Sequence, residues 1–318
     1  MVYMTSILDA IKGKKRIGIG GHVRPDGDCI GSSLAVYNYL CDNVPDGDIH
    51  IFLQEIPNIY KFLRNSDKIE EPGTVQESFD IFIALDCGDS DRLGPSAEYF
   101  KNAGSTFCID HHLSNSAFAD INEIEPHSSS TCEMVFDRMD QKLITKQIAE
   151  CLYCGLISDT GQFQYSCTSS HTMYAAGVLM DKGIDYPYIV DHTFSEKTFE
   201  QNRILGVALL KAELLLDGKL IFCNITMEEM KQYNVMPKHL EGIVAMLRAT
   251  KDVEVACFCY ETEDHDLKVS LRASGDVNLA LIASKYNGGG HAKAAGCTVS
   301  MSPEEFKNII INEIKERL

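Results

Sequence analysis

The first half of the chain alternates short apolar runs with segments of helical spacing, and this alternation most limits the possible folds. The apolar runs occupy residues 16–20, 49–53, 81–85 and 106–109. Because apolar residues follow one another instead of alternating with polar ones, each run is typical of a strand covered on both faces. Helical spacing appears at 30–41 and 145–158, and the stretch STCE at 130–133 has the spacing of a capping box, which predicts a helix start near 130. The sequence therefore predicts an α/β domain with a doubly wound, mainly parallel sheet.

The second half has a different rhythm. Strands are indicated at 219–226, 253–262 and 267–274, with helical segments between them. A chain of 318 residues is long for one hydrophobic core, which favours two domains. We expect a domain at 1–186, a connector at 187–207 and a smaller α/β or α+β domain at 208–318. A cleft between the two domains is expected to hold the substrate.

Histidine and aspartate residues stand directly after three of the predicted strands. The first strand is followed by His22, Asp26 and Asp28, the strand at 81–85 by Asp86, and the strand at 106–109 by Asp110, His111 and His112. A further carboxylate, Asp159, follows the helical segment at 145–158. Ligands of open α/β sheets bind outside the carboxyl ends of the strands. We therefore expect these side chains to meet at one edge of the sheet.

Such a cluster has a clear electrostatic requirement. Four carboxylates packed in one cleft repel one another, and some of them stay protonated unless cations are present. Two divalent ions would balance the four negative charges. Mixed carboxylate and imidazole ligation suits Mn²⁺, with Co²⁺ or Mg²⁺ as alternatives, and pairs of such ions commonly serve the hydrolysis of phosphate esters. The residues alone thus predict metal-dependent phosphate chemistry.

Four segments resemble the successive motifs of the DHH phosphoesterase superfamily: GHVRPDGDCIGSS, ALDCG, IDHHLSN and LISDTGQF. Farther along, VSLRAS and NGGGHAKAAG resemble the DHH-associated substrate domain of the first kind. The family II pyrophosphatases have a different C-terminal domain, which argues against that branch. The chain is most similar to the branch of bifunctional oligoribonucleases and phosphatases of 3′-phosphoadenosine 5′-phosphate (pAp). The resemblance makes 1–186 the catalytic domain and 208–318 the substrate-binding domain.

The resemblance also implies a role for each matching residue. One metal ion would be held by His22, Asp26 and Asp86, and the other by Asp28, Asp86, His111 and Asp159, so that Asp86 would bridge them. His112 would face the scissile phosphate and stabilise its developing charge. Asp110 would orient a neighbouring histidine. Substrate would be bound by Arg272, Gly288, Gly289, Gly290 and His291.

The residue types expected to bind substrate also suit phosphate binding on physical grounds. Glycines have no side chain, so the backbone can approach a phosphate closely and direct its N–H groups at it. Arginine is suited to bidentate phosphate contacts. Both features favour a site for a phosphate group in the second domain.

The implied reaction is hydrolysis of short oligoribonucleotides to mononucleotides and of pAp to AMP. The chain has 46 acidic and 29 basic residues, a net charge of -17, which argues against binding of long nucleic acids. The resemblance implies substrates of about two to five nucleotides, and the acidity agrees with short substrates because longer RNA would be repelled beyond the pocket. Two alternatives remain open: a phosphodiesterase for linear or cyclic dinucleotides (pApA, pGpG, cyclic di-AMP), and a non-catalytic nucleotide sensor.

The expected location is the cytoplasm. The sequence shows no apolar run of the roughly 18 residues that a spanning helix needs, and its start lacks the pattern of a signal peptide. The 12 cysteines lie mostly in apolar stretches, where a free thiol behaves as a small hydrophobe. We therefore expect a reduced protein without membrane association, as a monomer or a homodimer.

Overall fold

The chain forms two compact units, Met1–Glu196 and Lys197–Leu318. The computed structural model describes residues 5–74 and 78–317. Each unit has its own sheet and its own hydrophobic clusters. The predicted fold class, a parallel α/β domain followed by a smaller α/β unit, is confirmed.

Five parallel strands form the sheet in the described part of the first unit. They are β1 (Arg16–Gly21), β2 (Asp48–Phe52), β3 (Ile81–Leu85), β4 (Thr106–Asp110) and β5 (Ile121–Ile124). Their spatial order is β2-β1-β3-β4-β5, so the carboxyl ends of all five lie at one edge. The first four strands were predicted. The fifth was not, because this short, half-buried edge strand has neither an apolar run nor a regular alternation.

Helices cover both faces of this sheet, as expected for a doubly wound fold. Within the described residues they are α1 (Ile7–Ala10), α2 (Gly27–Asn43), α3 (Ala97–Asn102), α4 (Thr131–Asp137), α5 (Lys146–Asp159), α6 (Ser170–Asp181) and α7 (Tyr186–Val190). Helices α2 and α5 pack backbone to backbone: a Cβ on Gly31 would lie 2.5 Å from the carbonyl oxygen of Cys151. This close packing brings the first turn of α2 near the last residue of α5.

The second unit contains a mixed sheet of six described strands. They are β6 (Glu213–Leu215), β7 (Leu220–Ile225), β8 (Val255–Glu261), β9 (Leu267–Ala273), β10 (Gly289–His291) and β11 (Ala294–Val299). The spatial order is β10-β11-β9-β8-β7-β6, and β7 and β8 are parallel while the other neighbours are antiparallel. The strands at 219–226, 253–262 and 267–274 correspond to β7, β8 and β9.

The helices of the second unit are α8 (Phe199–Lys211), α9 (Met227–Gln232), α10 (Ile243–Arg248), α11 (Leu279–Ser284) and α12 (Pro303–Lys315). Much of the segment interpreted as a connector is helical, since α8 begins at Phe199 and continues beyond residue 207. Its Ile204 and Ala208 are buried in a cluster with side chains of β7 and β8. Helix α8 is therefore part of the core of the second unit. No helix in the described residues is long and apolar enough to cross a lipid bilayer.

Candidate active site

The loop after β1 brings His22 close to two aspartates. Its Nε2 atom lies 3.4 Å from Oδ2 of Asp86, which follows β3, and 3.8 Å from Oδ1 of Asp26. His22 and Asp86 are buried, while Asp26 is exposed at the N-terminal end of α2. The N-cap position explains this placement of Asp26, whose Oδ1 accepts bonds from the backbone N–H groups of Asp28 and Cys29.

A second group forms around His111, after β4. Its Nε2 atom lies 3.2 Å from Oδ2 of Asp159, 3.6 Å from Oδ1 of Asp86 and 3.9 Å from Oδ2 of Asp28. The two oxygens of Asp86 thus face different histidines, Oδ2 towards His22 and Oδ1 towards His111. The six residues expected to hold metal ions lie together at the carboxyl edge of the sheet, within the first unit.

The two rings present the same nitrogen to the carboxylates. Nδ1 of His22 lies 3.0 Å from the carbonyl oxygen of Val23, and Nδ1 of His111 lies 3.3 Å from that of Ser128. A carbonyl oxygen only accepts hydrogen bonds, so Nδ1 must carry the proton. In the neutral ring Nε2 is then a lone-pair donor among carboxylate oxygens. A histidine held in this way by its other nitrogen is typical of metal ligation, and the donor set fits divalent cations.

The electrostatics of the cluster agree with this fit. Burial raises the pKa of Asp28, and the neighbouring charges of Asp86 and Asp159 raise it further. Burial lowers the pKa of His111, but its contacts with Asp159, Asp28 and Asp86 outweigh this effect and raise that pKa to about 10. Burial likewise opposes a charge on His22, yet its aspartate neighbours raise its pKa. A carboxyl that resists ionisation, that of Asp28, beside imidazoles that hold their protons indicates an excess of negative charge, which divalent cations neutralise.

Helix α4 fixes two of these carboxylates. The backbone N–H groups of Thr131 and Cys132 donate to Oδ2 and Oδ1 of Asp28, at 2.6 and 2.9 Å. The Thr131 hydroxyl donates to Oδ1 of Asp86 at 3.0 Å. Sequence reasoning missed Thr131 as a functional residue, because it marked the stretch at 130–133 only as a helix start.

The helix start itself is confirmed, with one correction. Ser130 Oγ accepts a bond from the N–H of Glu133 at 3.1 Å, as a capping residue does. The reciprocal bond of a capping box is not formed, since the Glu133 carboxylate accepts instead from the hydroxyls of Ser128 and Ser129 at 3.2 and 2.7 Å. The buried Glu133 therefore anchors Ser128, whose carbonyl oxygen faces His111.

His112 adjoins the cluster, with its Nδ1 3.7 Å from Oδ1 of Asp86, and it also takes part in a hydrogen-bonded group of its own. Its Nδ1 lies 2.7 Å from Oδ1 of the fully buried Asp110, and Asn115 donates to the other oxygen of Asp110 at 2.7 Å. Burial raises the pKa of Asp110, but the contacts with His112 and Asn115 outweigh it and lower that pKa. The bond to Asp110 raises the pKa of His112, which favours a positively charged ring.

Two residues at the carboxyl edge have strained backbone conformations. Arg24 and Asp86 have φ angles of 57° and 55°, in the left-handed region that residues with a Cβ rarely adopt. Left-handed residues of this kind persist where surrounding contacts impose them, and they cluster at functional sites. The Val23 N–H, bonded to the carbonyl of Arg92 at 2.8 Å, and the Asp86 N–H, bonded to that of Ile109 at 3.1 Å, are two such contacts.

In the second unit, two of the predicted substrate residues lie in one row across the sheet. Arg272 of β9 pairs with Ala294 of β11, which in turn pairs with His291 of β10. Residues paired in this way point to the same face of a sheet, with neighbouring strands about 4.8 Å apart. Arg272 is half-buried and His291 is exposed.

The glycine-rich segment forms a strand and a turn, not the open loop that a phosphate cradle implies. A Cβ on Gly288 would collide with the carbonyl oxygen of Gly296, and one on Gly290 with that of Ala294. Gly290 also has a φ of +135°, which disfavours any other residue. Packing of the β10–β11 hairpin thus accounts for these two glycines. Gly289 has no neighbour within 4 Å of its Cβ position, and it is exposed.

A parallel sheet whose carboxyl edge gathers aspartates and histidines able to bind metal defines the class of a metal-dependent hydrolase. Two protein-family models match the chain. Residues 16–156 match the DHH family, N-terminal domain, and residues 217–318 match the DHHA1 domain. The chain thus contains a DHH-family N-terminal domain and a DHHA1 domain, and it is a phosphoester hydrolase.

Named relatives match the chain over most of its length. The chain is 27% identical over 323 residues to the bifunctional oligoribonuclease and PAP phosphatase NrnA of Thermus thermophilus, covering 100% of this chain and 94% of that protein. It is 26% identical to the protein of the same name from Bacillus subtilis, covering 87% of each. A crystal structure of an exopolyphosphatase-related protein from Bacteroides fragilis is 28% identical, with a TM-score of 0.85 over 96% of this chain and 93% of that one.

Proposed function

We propose that this phosphoester hydrolase cleaves short oligoribonucleotides to mononucleotides and pAp to AMP. The observation that carries the proposal is the cluster in which the two oxygens of Asp86 face His22 and His111. The activities named for the relatives from Thermus thermophilus and Bacillus subtilis support the choice of substrates. The net charge of -17 supports short substrates over long ones.

Two divalent ions, Mn²⁺ in the first place, complete the site. His22, Asp26 and Asp86 would hold one ion, and Asp28, Asp86, His111 and Asp159 the other. When bound, such ions neutralise phosphate charge and lower the pKa of water to yield a nucleophile at neutral pH. The distances of 3.2–3.9 Å from the Nε2 atoms to the carboxylate oxygens support this division, with Asp86 common to both groups.

The protein's own groups orient the substrate and stabilise charge. His112, protonated and held through Nδ1 by Asp110, would donate from Nε2 to an oxygen of the scissile phosphate. Asp110 acts as a positioning residue, because it keeps the ring in one tautomer and orientation. A second phosphate or the adjoining sugar would be bound by Arg272, His291 and the glycines at 288–290, of which Gly289 has the most space at its Cβ position.

Initial rates on a substrate panel test the proposal. The purified full chain is assayed with Mn²⁺ on a five-nucleotide RNA, pApA, pGpG, cyclic di-AMP and pAp, with identification of the products. We expect mononucleotides from the RNA and AMP from pAp. Asp86→Asn should abolish turnover and leave the circular dichroism spectrum unchanged, while Asp217→Asn, at an acidic surface position in the second unit, should retain activity.

Other outcomes separate the alternatives. Cleavage restricted to pApA, pGpG or cyclic di-AMP would contradict the proposal in favour of a dinucleotide phosphodiesterase. Nucleotide binding without any product in the presence of Mn²⁺ would indicate a sensor. Full activity of Asp86→Asn would refute the assignment of Asp86 as the shared ligand.

A further inference from the structure

A cavity of about 720 Å³ opens in the first unit beside the aspartate and histidine cluster. Its polar lining consists of Arg24, Gln54, Glu55 and Glu71, while Leu53 and four prolines form the apolar part. Because the proline ring fixes φ, these walls are rigid. A rigid apolar wall with a few polar groups is the usual construction of a small-molecule site.

Two chain segments connect the cavity to the cluster. Arg24 lies two residues after His22 and two residues before Asp26. On the opposite wall, the segment at 53–57 leads to the buried Tyr60, whose hydroxyl lies 2.7 Å from the position of a Cβ on Gly27. Gly27 directly follows Asp26. The loop that carries His22 and Asp26 therefore also forms part of the cavity wall.

The polar groups of the cavity are arranged by the strained turn at Arg24. Its backbone N–H donates to Oε1 of Gln54 at 2.8 Å. The amide of Gln54 is oriented by this bond, and its NH₂ group remains a donor. Glu55 and Glu71 are exposed and supply carboxylate acceptors. The lining thus combines one amide donor, two anionic acceptors and the guanidinium of Arg24.

We propose that this cavity binds a purine base of a dinucleotide whose phosphate lies at the metal cluster, an inference that rests on the proposed function. Purines present a ring acceptor or carbonyl next to N–H donors on one edge, which matches an amide donor beside carboxylates. The two fused rings cover more of the proline wall than a pyrimidine does. Arg24 is available to the sugar–phosphate portion as a cation.

The test uses the full chain with Mn²⁺ and the variants Arg24→Asn and Glu55→Gln. Asparagine tolerates the left-handed backbone at position 24, and glutamine keeps the shape of Glu55. We expect KM for pApA to rise about 10-fold or more, as for the loss of a hydrogen bond to a charged group, with kcat changed less than about threefold. pAp has no second nucleoside beyond its scissile phosphate, so the two variants should affect its hydrolysis less. The ratio of kcat/KM for pApA to that for pAp should therefore fall.

A binding measurement that needs no turnover makes the result independent of catalysis. The probe is a dinucleotide containing 2-aminopurine in which a methylene group replaces the bridging phosphate oxygen, so that it cannot be hydrolysed. The wild-type chain should bind it more tightly than the corresponding pUpU analogue, and the two variants should lose this preference. Glu98→Gln, at an exposed carboxylate of α3, is the matched control and should bind as the wild type does.

Unchanged binding of the purine analogue by Arg24→Asn and Glu55→Gln would overturn the inference. Equal affinity of the wild-type chain for the purine and pyrimidine analogues would also overturn it. If the wild-type chain cleaved neither pApA nor pAp, the proposed function would fail, and the binding measurement would still decide whether the cavity holds the base.

Discussion

The hydroxyl of Thr131 donates a 3.0 Å hydrogen bond to Oδ1 of Asp86, the carboxylate whose other oxygen faces His22. The backbone N–H of the same threonine donates to Asp28 at 2.6 Å. One residue at the start of α4 thus orients two carboxylates, one from the first turn of α2 and one directly after β3. Its side chain is completely buried, so no water can replace the bond.

Thr131→Val should weaken metal binding. Valine has nearly the same shape but cannot donate, so Asp86 loses its orienting partner. We expect the affinity for Mn²⁺ to fall about 10- to 100-fold, the usual cost of losing a bond that orients a metal ligand. Isothermal titration calorimetry and the electron paramagnetic resonance signal of free Mn²⁺ measure this change. Thr131→Ser keeps the hydroxyl and should bind nearly as the wild type does; equal weakening in both variants would contradict the role of the hydroxyl.

Gly155→Ala should lower the unfolding free energy and weaken Mn²⁺ binding through a steric collision. A Cβ at this position of α5 would collide with Sγ of Cys132 and lie 2.8 Å from Oδ1 of Asp28. Overpacking of this kind costs about 1–3 kcal/mol of unfolding free energy, and here it also displaces a predicted ligand. Urea unfolding and Mn²⁺ titration measure both effects.

Gly177→Ala is the matched control for that substitution. Gly177 lies in α6 with no atom within 4 Å of its Cβ position. Alanine is favoured over glycine inside a helix by about 0.5–1 kcal/mol, so this variant should be slightly more stable. Similar destabilisation by both alanines would show that the contact with Cys132 does not govern the response.

Asp110→Asn should lower turnover more than it lowers metal affinity. Asp110 touches His112 and Asn115, whereas the predicted metal ligands are other residues. A neutral amide holds the His112 ring less firmly, and a small displacement of a group that contacts the phosphate costs up to about 100-fold in rate. We expect kcat to fall about 10- to 100-fold while the Kd for Mn²⁺ changes by less than about threefold. A parallel loss of metal affinity would place Asp110 among the ligands instead.

The stability of the chain should depend on pH through Glu123. Burial raises the pKa of this carboxyl, but bonds from the Thr5 N–H and Arg138 outweigh it and lower that pKa from 4.5. A carboxyl with a lowered pKa stabilises the folded state above its unfolded pKa, and this contribution is lost as the pH falls through the folded value. Glu123→Gln should therefore cost about 1–3 kcal/mol at pH 7, and the difference from the wild type should shrink below pH 4.5. Urea unfolding between pH 7 and pH 3 checks this; a difference that stays constant over the range would contradict it.

The sequence was most informative where local order dictates structure. Buried parallel strands show as apolar runs, and the residues directly after them lie at one edge of the sheet. The grouping of His22 and Asp86 was therefore predictable from their positions after two predicted strands. The contacts of α4 were not predictable in this way. Thr131 and Asp28 are 103 residues apart, and nothing in either neighbourhood specifies their hydrogen bond. The glycine-rich segment was ambiguous for a different reason. A hairpin that packs closely and a loop that binds phosphate both require glycine, so the residue type does not distinguish them.

The backbone contact between α2 and α5 has a consequence for the choice of metal. Gly31 and Gly155 face each other across these helices, with 3.0 Å between the Cβ position of the first and the nitrogen of the second. Asp28 belongs to the first turn of α2, and Asp159 is the last residue of α5. The separation of the two carboxylates is therefore set by rigid helices and not by the side chains alone. The close approach of α2 and α5 at these two glycines would in this way limit the size of a cation held by both carboxylates.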